Sequence, residues 1–447
     1  MEEHGEVASP ADLSTKGTTQ KDIQMEAGKK QYVLVIPDGA ADVYRDNGRS
    51  PFALAHTTYM DFIAREGVCG LMQTLYDDLP KESMVAQMGM LCWDPHLYYP
   101  CGRASCELLA LEGVQLNEGD IAFRANLVRM ERSVLASYNA DYIYSSQARL
   151  LINRVNEMLR SEFPAFELYH NSDFRNTLVM RQAQIDPRDL ICPEPHESHG
   201  VEFDSARLLT GRNDKGCRVA EQINNYLQCV AAVLAGEVGN MLFPWSASGV
   251  LNLPPFAEVS GFSGRTAIVG CMDFLHGIAK AGRIDSFKVG NGRPDTDYAA
   301  KGTKVVELLR GGYEFVVCHI NAPDEAAHMG DLAGKIKSIE MIDRFVMSQI
   351  VNYFRVHPEQ LGSVMIVPDH YTNLPEHVSG QRRADIHSIR PVPFALWNGR
   401  ERDSVQSYCE DTACSGKYAS PPVSHLDLTT VLGVSQRRTL TVSKFSS

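Results

Sequence analysis

Three aspartates stand just past apolar, β-branched runs, where a buried strand would end. Asp38 follows Tyr32-Val33-Leu34-Val35-Ile36-Pro37. Asp324 comes soon after Phe315-Val316-Val317-Cys318-His319-Ile320, and Asp369 follows Val364-Met365-Ile366-Val367-Pro368. His328, His370 and His387 stand beside them. Carboxylate and imidazole at the C-terminal ends of strands suit a divalent metal in an open α/β sheet. Taken singly, each residue has a plain structural reading: Asp38-Gly39 makes a turn, Ser83 caps a helix, and His319 inside its strand is a satisfied core histidine. Taken together, the mixed set suits two nearby cations such as manganese, zinc or magnesium. The four-residue spacing of Asp324 and His328 puts both on one face of a helix turn. Ser83 opens the helical stretch Met84–Met90, where free N–H groups and the helix dipole favour an anion. Beside a metal site its hydroxyl becomes a candidate nucleophile toward phosphorus.

The elements that must carry these residues alternate strand and helix. After a polar leader (1–30) comes the first strand, then a helix at Tyr59–Arg65 and a strand at Cys69–Met72. The pattern changes near Ile121. A strand at Ala122–Val128, a helix at Ala148–Phe163, a strand at Thr177–Met180 and a helix at Ala220–Ala235 read as an inserted domain, with residues near 241–246 as a loop. Strand–helix alternation resumes at Thr266 and includes one helix from Ile336 to Phe354. The expected division is a leader (1–30), a discontinuous core (31–121 and 257–437), an inserted substrate or lid domain (122–256) and a loose tail (438–447). With no GxGxxG after the first strand and no GxxxxGK[ST], nucleotide-binding readings lose support.

The formal net charge of -12 argues against non-specific binding to nucleic acid or anionic membranes. The eleven cysteines show no CxxC pairing, which favours a reducing, cytoplasmic setting. No apolar run reaches transmembrane length.

The segments VIPDG, DEAAH, PDH and HSIRPVPF resemble the metal motifs of the alkaline phosphatase superfamily. More closely, the chain resembles the cofactor-independent phosphoglycerate mutases of the archaeal type. Further matches are RSPFALAHTTYMDFIAREGVCGLM, CGRAS, AFRAN, EPHESHG and DTDYAAKG, in order from the first strand to near residue 435. The resemblance implies an α/β fold: a mostly parallel, alkaline-phosphatase-like sheet flanked by helices, with an inserted α/β (α+β) substrate domain. It implies one metal held by Asp324, His328 and His387, and another by Asp38, Asp369, His370 and the Ser83 oxygen. It makes Ser83 the nucleophile. Arg103 and Arg124 match family arginines that bind the substrate's phosphate or carboxylate. Arg175, His196 and Lys301 become candidate substrate contacts. The implied cofactors are two divalent ions, manganese first, with magnesium, zinc or cobalt as alternatives. The implied substrate is a small phosphorylated molecule, 3-phosphoglycerate converted to 2-phosphoglycerate through a phosphoserine. Oligomeric state stays open.

The sequence departs from the family in three places. Glu82-Ser83 replaces a Gly-Ser opening, and Gln87 stands where a His is usual. Trp245 and Ser246 occupy a loop that usually carries a basic residue. Glu194 replaces an Asp. Two other readings therefore accompany the mutase: a metal-dependent phosphomonoesterase for another substrate, and a non-catalytic paralogue that keeps the fold.

Overall fold

The computed structural model describes residues 29–44, 46–111, 113–195, 198–204, 207–374 and 386–434. His196 and most of the leader and tail expectations lie outside these residues.

The run Gln31–Pro37 is the fourth strand of an eight-stranded sheet. Its apolar residues alternate between two cores. Val33 and Val35 join the cluster on one face, and Leu34 and Ile36 join that on the other. A strand covered on both faces needs such an unbroken apolar run. The sheet order is Asp285–Lys288, Thr266–Gly270, Phe315–Ile320, Gln31–Pro37, Leu361–Ile366, Val392–Trp397, Val68–Gln73, Tyr418–Ser424. Pairing is parallel throughout, except that Val392–Trp397 runs against both its neighbours. The three strands that precede Asp324, Asp38 and Asp369 are therefore adjacent and parallel, and their C-terminal ends share one edge.

A second, five-stranded antiparallel sheet is built on Ile121–Glu131, flanked by Val134–Ser137, Phe166–Ser172, Arg175–Met180 and Met241–Ser248. The helices Ser145–Leu159 and Asp214–Val233 share one apolar cluster with this sheet. Ala122 and Val179, from this sheet, pack against Ala104 and Leu108 of the helix Ala104–Leu109, which joins the two parts.

Several expected elements differ in extent. Residues 241–248 form a strand, not a loop, and it pairs only with Ile121–Glu131. An edge position tolerates Pro244, which has no N–H to donate. The expected helix Ile336–Phe354 begins earlier, at Leu332, where the Asp331 side chain accepts from the Gly334 N–H. It passes through a π-helical turn at Asp343–Met347 and ends at Val356. Among the described residues no helix is long and apolar enough to cross a membrane.

Candidate active site

The helix Ser83–Met90 is buried along its whole length. Its backbone meets His425 closely: a Cβ on Gly89 would lie 2.0 Å from that ring. Ser83 is the first helical residue, behind an extended Glu82. Its Oγ lies 3.1 Å from His370 Nε2 and 3.4 Å from Asp38 Oδ1.

Around that hydroxyl the strand-end residues form two groups that share His370: Asp38, Asp369 and His370, and Asp324, His370 and His387. His328 completes a triangle with the second group. Its Nε2 is 3.4 Å from Asp324 Oδ2 and 3.2 Å from His387 Nε2, and His387 Nε2 is 3.5 Å from Asp324 Oδ1. The short helix Ala322–His328 delivers the expected one-turn pairing of Asp324 and His328. Asp38, Asp369 and His370 are fully buried, whereas His328 is exposed. The triangle is thus the open side of the site.

The donor chemistry fits divalent cations. His387 Nδ1 is 2.7 Å from the Lys81 carbonyl and can only donate to it, which leaves the Nε2 lone pair for the triangle. Two imidazole Nε2 atoms at 3.2 Å cannot satisfy each other when both present lone pairs. Asp38 Oδ2 is buried with no hydrogen-bond partner among the described residues. Burial, with Asp369 and Asp324 close by, pushes the Asp38 carboxyl well above the usual range. Burial pushes Asp324 the same way, but the His328 and His387 imidazoles outweigh it and hold that carboxyl well below the range. Asp369 is also held low, against burial, by His370 and His319. Buried carboxylates and imidazoles crowded this closely form a donor set that suits a divalent cation.

His319 departs from the satisfied core histidine expected of it. It is fully buried, and neither ring nitrogen has a hydrogen-bond partner among the described residues. Its Nε2 lies 3.1 Å from Asp38 Oδ2 without hydrogen-bond geometry. Burial pushes its pKa down to about 4.

The departures around Ser83 have defined partners. Gln87 is buried and donates Nε2–H to Asp369 Oδ2 at 3.0 Å. The Glu82 carboxylate accepts the Tyr99 hydroxyl at 2.7 Å and lies in the field of Arg103.

Facing this edge is a polar strip of the second sheet. Arg124 pairs across the strands with Thr177 and Trp245, and Asn126 with Arg175. Arg124 is 8% exposed. Its guanidinium carbon sits 4.2 Å from the Trp245 ring centroid, its Nε donates to Glu107 at 3.0 Å, and one terminal nitrogen is buried with no partner among the described residues. Burial, aided by Arg103 and Arg175, lowers its pKa to about 10, still charged at pH 7. Arg103 lies 3.6 Å from Glu107. Arg175 stacks on Phe174 at 4.3 Å and lies in the field of Glu325, next to Asp324. Lys301 has no exposed surface, and its ammonium is 3.2 Å from the His319 carbonyl oxygen. The contact of Trp245 with Arg124 was not visible in the sequence, because it depends on a cross-strand register interrupted by a bulge between Ala122 and Arg124, and that of Glu107 depends on how the helix Ala104–Leu109 packs on the sheet.

Comparison with known proteins gives a consistent result. Residues 64–240 match the family model described as 2,3-bisphosphoglycerate-independent phosphoglycerate mutase. A protein of that description from Methanothrix thermoacetophila is 31% identical over 400 residues, covering 87% of this chain and 96% of its own. One from Methanosarcina barkeri is 29% identical, covering 89% and 98%. Among solved structures, a Pyrococcus horikoshii protein superposes with a TM-score of 0.70 at 22% identity, over 92% of this chain and 99% of its own. A cofactor-independent phosphoglycerate mutase from Thermoplasma acidophilum gives 0.56 at 24%, over 90% and 99%.

Proposed function

The chain belongs to the 2,3-bisphosphoglycerate-independent phosphoglycerate mutase family, and from that premise we propose that it interconverts 3-phosphoglycerate and 2-phosphoglycerate, with Ser83 as the carrier of the phosphoryl group. The observation that carries this reading is the Ser83 hydroxyl, set between His370 Nε2 and Asp38 Oδ1 at the start of a buried helix. Asp324, His328 and His387 would hold one divalent ion, and Asp38, Asp369, His370 and Ser83 another. When bound, the ions would neutralise phosphoryl oxygens and lower the hydroxyl pKa, with manganese the first expectation.

In the forward direction Ser83 Oγ gives up its proton and attacks phosphorus, the bond to the substrate's 3-oxygen breaks, and that oxygen takes up the proton released. The glycerate turns within the closed cleft. Its 2-hydroxyl then attacks the phosphoserine, giving 2-phosphoglycerate and restoring Ser83. Across the cleft, Arg124 offers its unpartnered nitrogen to the carboxylate or phosphate, with Arg103 and Arg175 adding positive field. Tyr99 holds the Glu82 carboxylate, which reduces its repulsion of the phosphoryl group. The second sheet excludes water, favouring transfer to glycerate over hydrolysis.

A coupled assay with 3-phosphoglycerate and manganese, without bisphosphoglycerate, tests this reading. Turnover that disappears in Ser83→Ala is expected. No turnover with manganese, magnesium, zinc or cobalt would end the proposal. Release of inorganic phosphate above the formation of 2-phosphoglycerate would assign hydrolysis instead.

A further inference from the structure

Thr372 stands between the two groups of ligand side chains. It is fully buried, and its backbone pairs with His387. Its Oγ1 lies 2.7 Å from Asp324 Oδ1 and 3.1 Å from His370 Nδ1. A threonine hydroxyl has one proton to give and lone pairs to receive. The carboxylate oxygen accepts that proton, so His370 Nδ1–H donates to the hydroxyl in turn. This leaves the His370 Nε2 lone pair directed at Ser83 Oγ, 3.1 Å away.

The bridge is held from every side. The Thr372 N–H donates to the Ala41 carbonyl at 3.1 Å. Its own carbonyl accepts from Lys335 Nζ at 2.7 Å, and the same ammonium is 2.7 Å from Asp42 Oδ2. Gly39, with φ +58°, leaves the space the hydroxyl occupies: a Cβ there would lie 2.3 Å from Thr372 Oγ1 and 2.6 Å from Asp324 Oδ1. Any side chain at this position would break the contact.

We propose that Thr372 is a positioning residue that couples the two metal sites, because its single hydroxyl orients a ligand of each. The inference rests on the two-metal reading above. It predicts that filling one site prepares the other, since fixing Asp324 fixes the hydroxyl and hence the His370 ring. Outer hydrogen-bond partners of ligands typically contribute about 10–100-fold to metal affinity.

Calorimetric titration of manganese into the metal-free protein tests it. Wild type should show two coupled binding events. Thr372→Val, which keeps the shape and removes the hydroxyl, should weaken both by about 10–100-fold and make them independent. Thr372→Ser should bind as wild type does, and Thr372→Ala replaces the valine variant should that one not fold. Unchanged binding in Thr372→Val, or an equal loss in Thr372→Ser, overturns the proposal, the latter because the methyl group would then be what matters. A wild type that binds two coupled manganese ions but turns over no phosphoglycerate ends the mutase reading and leaves the bridge standing. A wild type that binds fewer than two ends the bridge.

Discussion

Asp38 and Arg124 are both buried, at 0% and 8% exposure, yet their charges meet opposite surroundings. Asp38 sits among like charges, with Asp369 and Asp324 beside it and one carboxylate oxygen unpartnered. Arg124 has Glu107 as counter-charge and Trp245 as platform, and keeps one nitrogen open. The core edge is therefore assembled short of positive charge, while the face of the second sheet is nearly self-sufficient. On the two-metal reading, one region would need its ligand to be stable and the other only to complete a contact. Breaking a buried charge pair, which leaves one charge uncompensated, typically costs about 3–5 kcal/mol, so on that reading the core edge should depend on bound ions in a way the arginine face does not depend on substrate.

Five measurements can break or sharpen that contrast. The largest effect should follow Ser83→Ala, with kcat down roughly 10⁴- to 10⁶-fold, the scale for a lost nucleophile. Manganese binding should weaken at the site that includes Ser83 and, through the coupling, fall at the other site as well, read by calorimetry. Next, chelation should lower Tm clearly, because an ion at 1,000 times its Kd contributes about 4 kcal/mol; saturating 3-phosphoglycerate should raise Tm much less. An equal response to both would abolish the distinction. Third, Arg124→Lys should raise KM roughly 10- to 100-fold with a smaller change in kcat, since hydrogen bonds to a charged group contribute about 1.5–3 kcal/mol each. Trp245→Leu should raise KM about fivefold, the scale of a cation–π contact of about 1 kcal/mol, and Trp245→Phe should recover most of it.

The smallest effect concerns the wall behind Ser83. Burial lowers the pKa of His425 from 6.5 to about 4, so the unfolded chain binds its proton first. Stability from this group is complete above about pH 6.5 and is lost as the pH falls toward 4. A pH series of Tm on the metal-free protein should decline across that window, with His319 and His370, also lowered to about 4, contributing, and His425→Gln should make the decline shallower. An unchanged slope would remove His425 as its source.

The core edge was largely legible in the sequence, and for a physical reason. Parallel strands buried on both faces read as unbroken apolar runs, and the clustered carboxylates follow within a few residues, as at Asp38 and Asp369. Asp324 and His328 reveal themselves by the pitch of a helix. On the arginine face, Arg103, Arg124 and Arg175 were named by resemblance, but their surroundings were hidden, because contacts such as that of Arg124 with Trp245 run across strands. Arg124 meets Trp245 only through a bulged register, on a strand masked as a loop by its own proline. Phe166–Ser172 escaped for a similar reason: the second half of FELYHNS is polar and half-exposed. Thr372 carries no motif signal, since its role depends on residues 48 positions away and two positions away in one hydroxyl.

The placement of Gln31–Pro37 in the middle of its sheet has a consequence for synthesis. Its neighbours are Phe315–Ile320 and Leu361–Ile366, so this strand leaves the ribosome long before either partner is made. Until most of the chain exists, Val33 to Ile36 form an apolar, β-branched segment with both edges unpaired, the kind of stretch that recruits chaperones or aggregates. Native contacts so distant in sequence also make folding slow. The site that includes Asp38 then closes only when the fold does, and a nascent chain cannot assemble it early.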